Sequence, residues 1–136
     1  MSENLLKKII KNKKRKLLEI KKSTNLNLLN EIISKKSIYV DFKKKIEDNL
    51  SNQKFSIIAE IKKASPSAGI LIEDYDPVKI AKIYNSNKAT CLSVLTEEDY
   101  FFGNLLDISK VKKEINLPVL CKDFFIDKFQ IPLAKS

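Results

Sequence analysis

The chain has 136 residues, 43% of them hydrophobic, and 26 Lys and Arg against 17 Asp and Glu give it a net charge of +9 with no histidine. That apolar content suffices for one sizeable core and excludes a disordered chain, while the lack of histidine excludes a His general base and any Ser-His-Asp triad. Two cysteines, Cys91 and Cys121, without paired Cys or His spacing, suggest neither a disulfide framework nor a zinc site.

Leu5-Leu6 meets Lys7-Lys8 at once, which is not a secretory signal pattern. No segment approaches the roughly 18 uncharged apolar residues of a membrane span, so the expected location is cytoplasmic. The charge is lopsided: residues 1–50 hold 14 basic against 6 acidic residues, and residues 51–136 hold 12 against 11. Every basic residue except Arg15 is Lys. Proteins that clamp phosphates draw on Arg as well, so an A/T-rich coding bias explains the lysines better than nucleic-acid binding does.

In chain order, Leu6, Ile9, Ile10, Leu17 and Ile20 recur at near-helical spacing, with Lys13 interrupting the stripe, and predict an amphipathic helix from Leu5 to about Lys22. Ser23-Thr24-Asn25 breaks it, and a shorter helix is expected over Asp41 to Leu50. Phe55 to Lys62 reads as a strand, with Ile57, Ala59 and Ile61 on one face and Ile58, Glu60 and Lys62 on the other. The Ser65-Pro66-Ser67 turn and Gly69 follow. Asp76-Pro77 then starts a helix, Asp as N-cap and Pro at the first helical position; its apolar face is Ile80, Ala81, Ile83 and Tyr84.

Cys91 to Thr96 is a strand of the kind buried on both faces. Asn104 with Asp107 three residues on resembles a capping box that opens a helix through Ile115, with Leu105, Ile108, Val111 and Ile115 inward. Val119 to Lys122 is a third strand, and a further helix begins at Gln130. Strand-helix alternation at this spacing predicts an α/β protein with parallel strands. No Gly-x-Gly-x-x-Gly or Walker-type loop follows a strand, so the common nucleotide sites are not indicated.

A carboxylate and an ammonium on one face of a strand are out of place in a sheet core unless paired or chemically used. A parallel barrel offers the second option, because inward residues at the C-terminal strand ends open onto the active-site mouth. Lys122 shares a face with Leu120 and Phe124 and projects from the end of its strand as Lys62 does. Glu60, Lys62 and Lys122 are therefore expected to converge, the carboxylate offsetting the repulsion of the lysines.

AEIKKASPSAG, DYDPVKIAKIY, CLSVLTEEDYFFG and LPVLCKDFFID, in that order, resemble the indole-3-glycerol phosphate synthase family of tryptophan biosynthesis. The resemblance implies a (β/α)₈ TIM barrel, here truncated to a helical extension over residues 1–50 and the first part of a barrel over 51–136: strand, helix, strand, helix, strand and the start of a third helix. Its reaction is the decarboxylating and dehydrating ring closure of 1-(2-carboxyphenylamino)-1-deoxyribulose 5-phosphate, a carboxy-lyase reaction needing no metal or organic cofactor. The resemblance places the general acid on Lys122. It places anionic-substrate binding on Lys62, leaves open which lysine protonates the departing hydroxyl, and gives Glu60 the orienting role.

By the same resemblance, Phe101 and Phe124 match an apolar pocket for the aromatic ring, or serve as core. Ser65 and Ser67 bind near the substrate phosphate, or shape the turn. Asp123 fixes Lys122 by an ion pair, or is structural. The family's phosphate grip, after strands seven and eight, lies beyond Ser136, so the isolated 136 residues are expected to be inactive, and a separate second half-barrel chain or self-association through exposed strand edges is the expected partner. Neither nucleic acid nor membrane is expected as a partner. The alternatives are a small basic non-enzymatic protein binding nucleic acid or membrane through its Lys-rich helix, and another phosphosugar barrel such as the neighbouring isomerase.

Overall fold

A computed structural model of the chain describes residues 4–36 and 39–136. The elements run α1 (Leu5–Ser23), α2 (Leu26–Ser34), α3 (Phe42–Ser51), β1 (Ile58–Ile61), β2 (Ala64–Ser65), β3 (Gly69–Ile70), α4 (Pro77–Ser86), β4 (Cys91–Leu95), α5 (Leu106–Glu114), β5 (Val119–Lys122) and α6 (Gln130–Lys135). They fall into two units: the described part of Met1–Tyr39 together with Phe124–Ser136, and Val40–Asp123.

In the first unit, Asn4 caps α1 by accepting a hydrogen bond from the Leu6 N–H at 2.9 Å. Thr24, in extended conformation, ends the helix. Helix α2 was not expected from the sequence, although Asn25 caps it, accepting from the Leu28 N–H at 2.9 Å. Buried Leu17, Leu29 and Phe129 form the core of this unit, with Ile20, Ile126 and Leu133 against them. The Leu17 and Ile20 end of the α1 stripe is thus covered by α2 and by a segment from the far end of the chain, whereas Leu6 at its start is exposed. Lys21 pairs with Asp127 at 2.6 Å and lies 5.5 Å above the Phe129 ring, so its stem spans an apolar surface while its head stays polar.

The second unit is a three-stranded parallel sheet in the order β1-β4-β5, with α4 and α5 as the crossovers. Asp76 accepts from the N–H groups of Val78 and Lys79 at 2.9 and 3.1 Å, so the expected Asp-Pro helix start is present. Asn104 likewise accepts from the Leu106 N–H at 2.9 Å, but the Asp107 carboxylate pairs with Lys110 at 2.9 Å, and α5 starts at Leu106. Ile61, Ala81, Leu92, Val94, Val111 and Ile115 form the core, with Ala59, Ile80, Tyr84, Ile108 and Val119 packed on it. Full burial of each Leu, Ile or Val side chain here stabilises by about 1.5–3 kcal/mol.

Three expectations need correction. The first strand is Ile58–Ile61 rather than Phe55–Lys62, since Phe55 is 96% exposed and Ile57 is also exposed. Ile83, placed on the inner face of α4, is 52% exposed; the face turns on Ala81, with Ile80 and Tyr84 beside it. The second expected strand ends at Leu95, because Thr96 has begun the turn into the loop that precedes α5.

Candidate active site

The register of the sheet sorts its side chains. Ala59 pairs with Leu92 and Leu92 with Val119 on the face covered by α4 and α5, whereas Glu60 pairs with Ser93 and Ser93 with Leu120 on the other. Leu95 pairs with Lys122 one step further toward the C-terminal ends. Alternation puts Glu60, Lys62 and Lys122 together at that end of this face, on which Leu120 and, at the opposite end, Ile58 are also exposed.

One carboxylate holds both ammoniums. Lys62 Nζ lies 2.8 Å from Glu60 Oε1 and Lys122 Nζ 2.6 Å from Glu60 Oε2. Partial burial alone would push the Glu60 pKa up, but the hydrogen bonds from Lys122 and Lys62 and their charges outweigh it and hold the carboxyl below its ordinary range. The Tyr84 hydroxyl donates to the Glu60 carbonyl at 3.1 Å, which ties this point of β1 to α4. Two N–H-rich cations fixed by one anion make a site for an oxygen that carries or develops negative charge, with proton donors already in place.

The other expected residues surround this triad along the chain. Ser65 and Ser67 lie in and after β2, their hydroxyls 3.4 Å apart, and Ser65 Oγ accepts from the Ala68 N–H at 3.3 Å. In the facing strand Gly69 takes φ +68°, a conformation that favours glycine. Phe101 is half-buried in the loop between β4 and α5. Asp123 accepts from the Thr96 hydroxyl at 2.8 Å, while the ion pair of Lys122 is the one to Glu60. Phe124 is half-buried and belongs to the first unit, where its carbonyl accepts from Gln130 Nε2 at 2.9 Å.

Three polar residues of β4 and its end escaped the sequence reading: Ser93, Thr96 and Glu97, all buried. Their signal is Ser93, Thr96 and Glu97 set around Val94 and Leu95 in SVLTE, in a stretch that a strand of the kind buried on both faces would fill with apolar side chains. Thr96 ties β4 to β5 twice over, its N–H donating to the Lys122 carbonyl at 3.0 Å and its hydroxyl to Asp123. Cys91, in register with Ile58, is buried; burial pushes its thiol up, against a smaller opposing effect of the Lys45 ammonium, so it is no ready nucleophile.

Parallel βα units with ionisable groups at the C-terminal strand ends define the class of α/β proteins that carry their polar clusters at that end of the sheet. Within that class, the family model for indole-3-glycerol phosphate synthase matches residues 6–136, and the chain belongs to that family. It is 46% identical over 131 residues to the indole-3-glycerol phosphate synthase of Bacillus licheniformis, covering 96% of this chain and 47% of the relative. It is 42% identical over 131 residues to that of Clostridium acetobutylicum, covering 96% and 49%, and 36% identical over 134 residues to that of Microcystis aeruginosa, covering 98% and 45%. The chain spans about half the length of the curated relatives it matches.

Proposed function

We propose that these residues supply the first part of an indole-3-glycerol phosphate synthase barrel, residues 51–136 contributing its opening βα units and residues 1–50 a helical extension. The observation that carries the reading is the pairing of Lys62 and Lys122 on Glu60 at 2.8 and 2.6 Å. In the reaction the aryl carbon bearing the carboxylate forms a bond to the ketone carbon, and the ketone oxygen takes a proton from Lys122 Nζ. The carbon–carboxylate bond then breaks, its electrons restoring the aromatic ring as carbon dioxide leaves.

Dehydration follows, with Lys62 the donor to the departing hydroxyl and Glu60 accepting the proton lost from the neighbouring carbon. Glu60 also keeps both ammoniums aimed at one point before substrate arrives, which saves reorganisation in the transition state. Phe101 holds the aromatic ring, Ser65 and Ser67 contact the phosphate end, and Asp123 supports the end of β5. The proposed substrate is this anthranilate-derived phosphosugar.

The test is Lys122→Met in a complete barrel. Ring closure should vanish while substrate binding persists, since the proton is needed only in the transition state. Full turnover by Lys122→Met would remove the lysine from that role. Residues 1–136 alone should give no detectable product, because misplacing a reacting group by about 1 Å already costs roughly a hundredfold.

A further inference from the structure

Glu97 is a carboxylate placed where the end of a covered strand calls for an apolar side chain, and it is only 2% exposed. Burying an anion is costly unless N–H groups replace its water. Here they come from the loop that Glu97 itself begins. Its Oε2 accepts from the N–H groups of Tyr100 at 2.7 Å and Phe101 at 3.2 Å, and its Oε1 from that of Asp99 at 3.2 Å. The Glu97 carbonyl accepts from the Gly103 N–H at 2.8 Å. Phe102, between them, is held at φ +53°, a conformation that a bulky residue adopts only when its surroundings enforce it.

The same loop reaches β1. The Ala64 N–H donates to the Phe101 carbonyl at 3.2 Å, and Ala64 is the second residue after Lys62. A single connection therefore runs from the Glu97 carboxylate through the Phe101 peptide to the backbone just past Lys62. Thr96, the preceding residue, grips the end of β5 that carries Lys122. Adjacent buried polar residues just past the end of β4 thus reach both lysine-bearing ends.

We propose that Glu97 is a positioning residue: its carboxylate sets the conformation of loop 98–103, and with it both the seat of Phe101 and the end of β1 that carries Lys62. The structural link stands by itself; its effect on substrate rests on the synthase reading above.

Backbone amide exchange on the 136-residue chain tests the link. Glu97→Gln keeps size and one oxygen but turns an NH₂ donor toward N–H groups, and Glu97→Asp keeps the charge with a shorter reach, so that one variant serves if the other fails to fold. Exchange at Tyr100, Phe101 and Ala64 should accelerate about tenfold or more, while Leu92 in β4 stays at the wild-type rate. Protection retained at Ala64 while Tyr100 and Phe101 loosen would overturn the proposal, as would equal acceleration at Leu92, which signals general destabilisation.

In a complete barrel, Glu97→Asp should raise KM about tenfold with a smaller fall in kcat. With kcat taken per folded enzyme, a fall in kcat at unchanged KM marks displacement of the Lys62 donor and supports the positioning role, whereas kcat and KM both unchanged would mark a merely structural role and overturn it. A complete wild-type barrel without synthase activity would sink the synthase reading and leave the exchange result standing.

Discussion

Lys122 reaches Glu60 across an intervening strand: the two residues sit on β5 and β1, the outer strands of the sheet, and close to 2.6 Å over β4. In the register Glu60 lies opposite Ser93 and Lys122 opposite Leu95, both buried, so the pair closes diagonally over β4.

Ser93 should therefore tolerate little growth. Ser93→Leu puts a branched side chain at a buried position directly opposite Glu60, and overpacking of this kind costs about 1–3 kcal/mol. Melting should show that loss, and carbon NMR of the Glu60 carboxyl should show the pair opened. Ser93→Ala should leave both readouts near wild type; a Ser93→Leu protein with an unchanged Glu60 signal would mean that the pair does not depend on the small residue.

Glu60 should titrate below a free glutamate. Burial works against this, but the hydrogen bonds from Lys122 and Lys62 prevail. Because the folded pKa is depressed below the unfolded value of about 4.3, the pairing stabilises the fold fully above that value, and its contribution is lost as pH falls through the folded pKa. NMR titration should give a midpoint on the acid side of 4.3, and Lys122→Met should move it upward. A midpoint unmoved by Lys122→Met would show that the carboxylate does not feel that ammonium.

Gly103 should not accept a side chain. A Cβ there would fall on the backbone carbonyl of Leu95 and come within 2.9 Å of the Thr96 carbonyl carbon. Neither can move without disturbing the end of β4, so Gly103→Ala should cost about 2 kcal/mol or more. Chemical denaturation measures this directly, and a loss within experimental scatter of zero would show that the loop has room to shift.

Phe129 should matter to the helical unit out of proportion to its place near the end of the chain. It is buried against Leu17 and Leu29, and Phe→Ala changes at such sites cost about 3–5 kcal/mol. In Phe129→Ala, amides of α1 and α2 should lose protection while those of β4 keep theirs. Deleting residues 1–22 should expose the same cluster and cost stability. Loss of affinity for DNA or liposomes on that deletion, with stability untouched, would instead assign α1 a binding role.

Much of this was legible before any coordinates. Val119–Lys122 came out with the expected bounds because an apolar run after Leu117-Pro118 has few alternatives, and the Asp76-Pro77 start is a purely local signal. Convergence of Glu60, Lys62 and Lys122 followed from period-two alternation combined with parallel pairing. Helix α2 is hidden although Leu28, Leu29, Ile32 and Ile33 are helically spaced, because Ser23-Thr24-Asn25 has the composition of a break while Asn25 is the cap of the next helix. What local patterns could not reveal was non-local, namely that Thr96 meets Asp123, that the loop after Glu97 meets Ala64, and that Phe129 completes the core under α1. Each depends on which segments the topology makes neighbours.

The far-apart partners of α1 set an order of events during synthesis. Lys21 and Asp127 are 106 positions apart, and at roughly 5–20 residues per second a ribosome needs about 5–20 s to make the intervening stretch. Throughout that interval the nascent α1 and α2 lack Phe129, so Leu17 and Leu29 are without their final cover while the parallel strands are still being made. The lysines around α1 give the emerging chain a charge of one sign, and neighbouring nascent chains on one message then repel one another at the moment their apolar residues are barest.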